Sequence, residues 1–175
     1  MIHAPQSLVL MVFPAFVVLG AVKDLTSYRI PNWISLALAA GFVPAAGVGL
    51  VAGAPLSALE LDLAVGAGAL AAGVVMFALR WIGGGDAKLF AAATLWLGWP
   101  ALPAYLVFTA LAGGGLALLL LALRSPMARA LVPAGPAWFV RLAQPEENVP
   151  YGVAIAIGAL AAFPGCALAK AVWPL

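Results

Sequence analysis

The sequence predicts an all-α, polytopic integral membrane protein of about six transmembrane helices, one bundle spanning residues 1–175. Three observations predict it. The chain has 175 residues, 66% of them hydrophobic and only 8% charged, far outside the composition of soluble domains. Its apolar runs approach the ~20 residues that a helix needs to cross hydrocarbon. Once those runs are taken as crossings, the basic residues fall almost entirely on one side. The same composition excludes several chemistries. Cys166 is the single cysteine, so an internal disulfide and a CxxC zinc site are both ruled out. His3 is the single histidine, which leaves HExxH and Ser-His arrangements unsupported. No metal and no cofactor are expected, and a net charge of +2 gives no reason to expect nucleic acid.

The first run extends from about Ser7 to Val22 and ends at Lys23-Asp24. Residues 1–5 carry no Lys or Arg, unlike the basic start of a cleaved signal peptide, so this run is read as a mature span. Residues 25–32 are polar for this protein, and Pro31 suits the first turn of a new helix. The second span covers about Trp33 to Val51, with Pro44 as an expected kink, and Gly53-Ala54-Pro55 turns the chain. The third covers about Leu61 to Leu79, rich in small residues that let helices pack closely in lipid. Glu60 and Asp62 at its start read as a solvated boundary. Ala87 to Trp99 has a length ambiguous between a short span and a re-entrant segment. Ala101 to Leu123 is a clear fifth span. Residues 124–150 form the longest polar region, in which residues 137–142 read as a short interfacial piece and Glu146-Glu147 as a solvated pair. The last span covers about Tyr151 to Val172, with Cys166 a small buried hydrophobe.

Charge placement decides the ambiguous segment. If Ala87 to Trp99 crosses, Lys23, Arg29, Arg80, Lys88, Arg124, Arg129 and Arg141 share one side, and only Lys170 falls toward the other. By the positive-inside rule that basic side is the cytoplasm. If the segment were re-entrant, Arg124, Arg129 and Arg141 would change sides and the asymmetry would collapse. Six crossings with both termini outside follow, and Trp96 and Trp99 mark the outer interface.

This count brings two carboxylates to one face. Asp24 ends the first helix and Asp86 begins the fourth. Gly83-Gly84-Gly85 lets backbone approach backbone just ahead of Asp86. Asp86 gains from the exposed amides of a helix start. A carboxylate near hydrocarbon is costly, and its default reading is functional. Taken alone, Asp86 also reads as a helix cap, and Asp24 as an interfacial partner of Lys23 or Arg29. If the two helices touch, the carboxylates form a pair that cannot cheaply ionise together. One then holds a proton while the other draws one from water, which is acid–base chemistry suited to a peptide carbonyl.

Asp24 followed by Arg29-Ile30-Pro31-Asn32, together with Gly83-Gly84-Gly85-Asp86-Ala87-Lys88, resembles the two signature regions of the type IV prepilin peptidases, GxGD-type membrane aspartyl proteases. Val149-Pro150-Tyr151-Gly152 before the last span resembles that family as well. The resemblance covers essentially the whole chain in order and spacing. It implies Asp24 and Asp86 as the catalytic pair. Gly83, Gly85, Lys88, Arg29, Pro31 and Asn32 are then site-shaping or substrate-binding residues. Lys88 reads equally as a cytoplasmic anchor. The implied substrate is a prepilin or pseudopilin, cut at the cytoplasmic face of a bacterial inner membrane, with the lipid bilayer as the other partner. Bifunctional family members carry an N-terminal extension and paired cysteines associated with N-methylation. This chain starts almost at its first span and has Cys166 alone, so it looks like the short members that serve tight-adherence (Flp-type) pili. It is less similar to the presenilin-type relatives, which pair GxGD with Tyr-Asp where this chain has Lys23-Asp24. The alternative reading is a small proton- or cation-coupled transporter that uses Asp24 and Asp86 as ligands. Such a protein would more often hold its site near the membrane midplane.

Overall fold

The computed structural model describes residues 9–131 and 136–172, and every regular element among them is helical. In chain order these are α1 (Val12–Ser27), α2 (Asn32–Val51), α3 (Leu56–Ala78) and α4 (Gly84–Leu123). The short α5 (Pro126–Leu131) and α6 (Ala137–Leu142) follow, then α7 (Tyr151–Ala162), a 3-10 turn (Phe163–Gly165) and α8 (Ala167–Val172). α2, α3 and α4 are each long and apolar enough to cross a membrane, and Tyr151–Gly165 is a shorter apolar stretch. The exposed surface is itself apolar. α3 buries only Asp62, Gly66 and Gly73 and exposes Leu63, Leu70, Val74 and Phe77. That is the pattern of a helix whose solvent is lipid. The protein is an all-α membrane protein.

α4 carries the main architectural device. A straight helix of that length would reach about 60 Å, twice the thickness of the hydrocarbon core. Gly98 breaks it, with φ +63° and ψ −174°, a conformation open to glycine because it lacks Cβ. Phe90 and Tyr105 lie on either side of the break, and their rings stack with centroids 4.9 Å apart. In an unbroken helix they would be about 22 Å apart. The chain therefore reverses at Gly98, and two antiparallel arms, 84–97 and 99–123, make the fourth and fifth crossings. Pro100 falls in the first turn of the second arm, where a missing N–H removes no helical bond.

α4 is also the hub of the bundle, packing on α3, α7 and α2, while α1 packs mainly on α7 and α2. Aromatic rings fill the centre. Phe13 of α1 stacks on Phe163 at 4.6 Å and meets Trp96 at 5.5 Å. Trp96 departs from expectation: it is 1% exposed, and its Nε1–H donates to the Leu38 carbonyl at 2.7 Å. The helical phase of the first arm turns it inward, so it is a core residue rather than an interface anchor. Trp99, one residue past the break, is exposed.

Several boundaries move. Ser7, the expected start of the first span, lies outside the described residues. α1 runs on to Ser27, so Lys23 and Asp24 lie within the helix. Its end is secured by the Ser27 hydroxyl donating to the Lys23 carbonyl at 2.7 Å and the Tyr28 amide to the Asp24 carbonyl at 2.8 Å. α3 begins at Leu56, ahead of the expected Leu61, and this places Asp62 on its buried face. Asp62 is 7% exposed, which corrects its reading as a solvated residue. Its carboxylate lies against Gly98 and accepts a hydrogen bond from the Trp99 amide, so it caps the second arm of α4. Glu60 is exposed, as expected. The last crossing is broken by the 3-10 turn at Pro164-Gly165.

Candidate active site

Asp24 and Asp86 meet at one end of the bundle. Asp24 sits one turn before the end of α1, 6% exposed. Its position is fixed from across the fold by Gly152, whose backbone N–H donates to Asp24 Oδ2 at 2.7 Å. Gly152 is the second residue of α7, where the first-turn amides have no helical partner. One of them is thus used to hold a carboxylate. The absence of a side chain is what permits the approach. A Cβ on Gly152 would lie 2.9 Å from Asp24 Cβ, Asp24 Oδ2 and Ile30 Cδ1.

Asp86 occupies the first turn of α4, whose N-cap is Gly83. The Gly83 amide hydrogen-bonds back to the Asp86 carboxylate. This is one half of a capping box, and it closes a local loop around the acid. The glycines admit a neighbouring backbone, as the sequence anticipates. A methyl on Gly85 would lie 3.0 Å from Ile30 Cβ and 3.3 Å from the Ile30 carbonyl oxygen. The loop after α1 and the first turn of α4 therefore touch through Ile30 and Gly85. Asp86 is only partly buried, and it lies within the electrostatic range of Asp24.

Both carboxylates line an open cleft of about 860 Å³, with Tyr28, Arg80, Glu147 and Tyr151 among its walls. An adjoining lobe of about 490 Å³ is also lined by both, and by Arg29, Pro31, Asn32, Gly83 and Gly85. Of the site residues expected from sequence, all but Lys88 border this space. Lys88 lies on the other side of the loop, where its Nζ donates to Asn32 Oδ1 at 2.9 Å.

Some cleft residues were not legible as such. Tyr28 and Arg80 are the two described non-glycine residues with positive φ, at 54° and 62°. Such conformations cost energy for L residues and cluster at functional sites. Tyr28 caps α1, and its buried hydroxyl has no hydrogen-bond partner. Burial, with the Glu147 charge adding, pushes this phenol above its ordinary pKa, so it stays protonated at neutral pH. The Arg141 guanidinium lies over the Tyr28 ring, 4.9 Å from its centroid, and pairs with Glu147 Oε1 at 2.9 Å. Glu147 is thus a tethered cleft residue rather than a free solvated one. Arg124 Nε and Nη2 donate to the carbonyls of Leu142 and Asn148 at 3.0 and 3.1 Å, pinning the polar segment over this end. Among the described residues, no group of three or more His, Cys, Asp or Glu side chains converges as metal ligands do.

Comparison with known proteins gives one family. A family model described as the type IV leader peptidase family matches residues 11–118. Comparisons with curated proteins and with solved structures gave no match. The matched region holds Asp24 and Asp86, whereas Gly152 and Glu147 lie beyond it and join the cleft through the fold.

Proposed function

The chain belongs to the type IV leader peptidase family, and from that premise we propose that Asp24 and Asp86 are the catalytic pair of a membrane aspartic endopeptidase. The observation that carries the proposal is the shared cleft: two carboxylates from helices far apart in sequence face one open space. One carboxyl group is protonated and donates to the oxygen of the scissile carbonyl. The other is ionised and takes a proton from water as the water oxygen bonds to the carbonyl carbon. Collapse of the tetrahedral intermediate returns a proton to the leaving nitrogen and breaks the C–N bond. The Gly152 amide holds one oxygen of Asp24, so the carboxylate needs no reorientation during the reaction. Gly83 and Gly85 shape the approach to Asp86. Arg29, Pro31 and Asn32 shape the facing wall, and Lys88 braces it through Asn32.

The substrate in this reading is a type IV prepilin-like protein, of the tight-adherence class by resemblance, with its leader removed at the basic end of the bundle. Lys23, Arg29, Arg80, Lys88, Arg124 and Arg141 support placing that end in the cytoplasm, hence a multi-pass protein of a bacterial inner membrane with both termini outside. The whole chain acts as one peptidase domain. A transporter using the same carboxylates fits less well, because the pair lies at the bundle's end and not at its midplane. Coexpression with prepilin-like proteins tests the proposal. A processed product should show, by mass spectrometry, a new N-terminus on the leader side of its apolar segment. A cut on the far side of that segment rejects the reading.

A further inference from the structure

We propose that the lateral groove between α2 and α3 is the berth of the substrate's apolar helix, which it delivers end-on to the Asp24–Asp86 cleft. This rests on the peptidase reading above. Among the described residues, α2 and α3 both pack on α4 but scarcely touch one another, and the space between them is a groove of about 530 Å³. Three stripes line it, and all three have the same spacing. α2 contributes positions 32, 35, 36 and 39, α3 contributes 63, 66, 67 and 70, and the first arm of α4 contributes 88, 91, 92 and 95. Each is an i, i+3, i+4, i+7 set, one face of a helix over two turns. Three such faces make a straight trough about 10 Å long, the shape that receives a rod rather than a compact molecule.

The chemistry of the lining selects the rod. Ala39, Ala67, Ala91 and Ala92 stand in it, and small residues of this kind let a further helix backbone come close in lipid. Ser35 stands in the wall, 7% exposed, and its hydroxyl has no hydrogen-bond partner. A helix arriving by its end brings free backbone carbonyls and amides, which an acyl chain lacks. The trough also leads to the right place. Its polar mouth is Lys88 and Asn32, joined by their 2.9 Å hydrogen bond, and Asn32 also borders the lobe that holds Asp24 and Asp86. A segment lying in the trough therefore ends beside the carboxylates.

A photo-crosslinking residue at Leu36 or Leu70, both exposed in the groove walls, tests this in native membranes containing a prepilin-like substrate. The expected result is crosslinking to the substrate's apolar segment from both positions and not from exposed Leu118 on the second arm. Crosslinks to lipid alone, or equal capture from Leu118, overturn the proposal. In parallel, Ala39→Leu and Ala67→Leu fill the trough. They should lower kcat/KM for the membrane-embedded substrate about tenfold more than for a soluble peptide that carries the cleavage site without the apolar segment, since overfilling a packed space is costly. Equal losses on both substrates also overturn it. If the unmodified protein cuts neither substrate, the peptidase reading fails, while the crosslinks still report on the groove.

Discussion

Adding one methyl group at Gly152 should disable the site without touching a titratable residue. In Gly152→Ala the new carbon would lie 2.9 Å from both Cβ and Oδ2 of Asp24, and 2.9 Å from Ile30 Cδ1. Carbon atoms in contact prefer about 3.5–4.0 Å, so something must shift by roughly half an ångström or more. Ile30 cannot absorb the shift easily, because it is 8% exposed and packs on the Gly85 backbone. Asp24 yields instead, and its 2.7 Å bond from the Gly152 amide is strained. Overpacking of this kind costs about 1–3 kcal/mol of stability. The kinetic cost is larger, because misplacing a reacting group by about 1 Å can cost about 100-fold in rate. The assay is leader removal from a prepilin-like substrate by purified, folded enzyme, with Gly114→Ala as the control. A Cβ at Gly114 meets nothing within 4 Å, so that variant should match the wild type. Retention of more than half the wild-type rate by folded Gly152→Ala would refute the reasoning.

Other expectations follow from single contacts. Asp62→Ala removes the cap of the second arm of α4 and should lower resistance to denaturant by about 0.5–2 kcal/mol. Asp62→Asn, which keeps an acceptor, should lose less, and equal losses would contradict the capping role. Trp96→Phe removes the indole donor to the Leu38 carbonyl, which keeps its bond within α2, and the lost hydrogen bond should cost about 0.5–1.5 kcal/mol, measured by the same unfolding curve. For sidedness, single cysteines at Thr26 and Ser57 in a Cys166→Ala background should react with impermeant reagents from opposite sides of the membrane, Thr26 from the cytoplasm. Labelling of both from one side would break the six-crossing topology.

The crossings and the placing of Asp24 and Asp86 at one face were legible because they depend on counting, whereas the contact between their helices was not. Apolar length fixes the number of spans, and one-sided basic residues fix the parity of the short fourth one. Helical phase and long-range contact are not countable in this way. Trp96 matches the interfacial position of its span, but the rotation of the first arm turns it to the core. Asp62 reads as surface because it is charged, and its partner is an amide exposed by the break at Gly98, on another helix. The Gly152 amide reaches Asp24 across most of the chain, and a single sequence carries no trace of that pairing. Pro164-Gly165 is a strong breaker pair legible in the sequence, and it interrupts the final crossing at that point.

The central claim is that Asp24 and Asp86 act as one catalytic unit, and the initial rate of leader removal by Asp24→Asn, Asp86→Asn and the double variant tests it most directly. Each amide is close to isosteric with the acid but cannot complete the proton cycle. Each single variant, inserted and folded like the wild type, should lose roughly 100- to 10,000-fold in rate. The double variant should be little worse than either, because residues acting as a unit are strongly non-additive. A folded single variant that keeps most of the wild-type rate, or a double variant whose loss equals the product of the two single losses, would contradict the account.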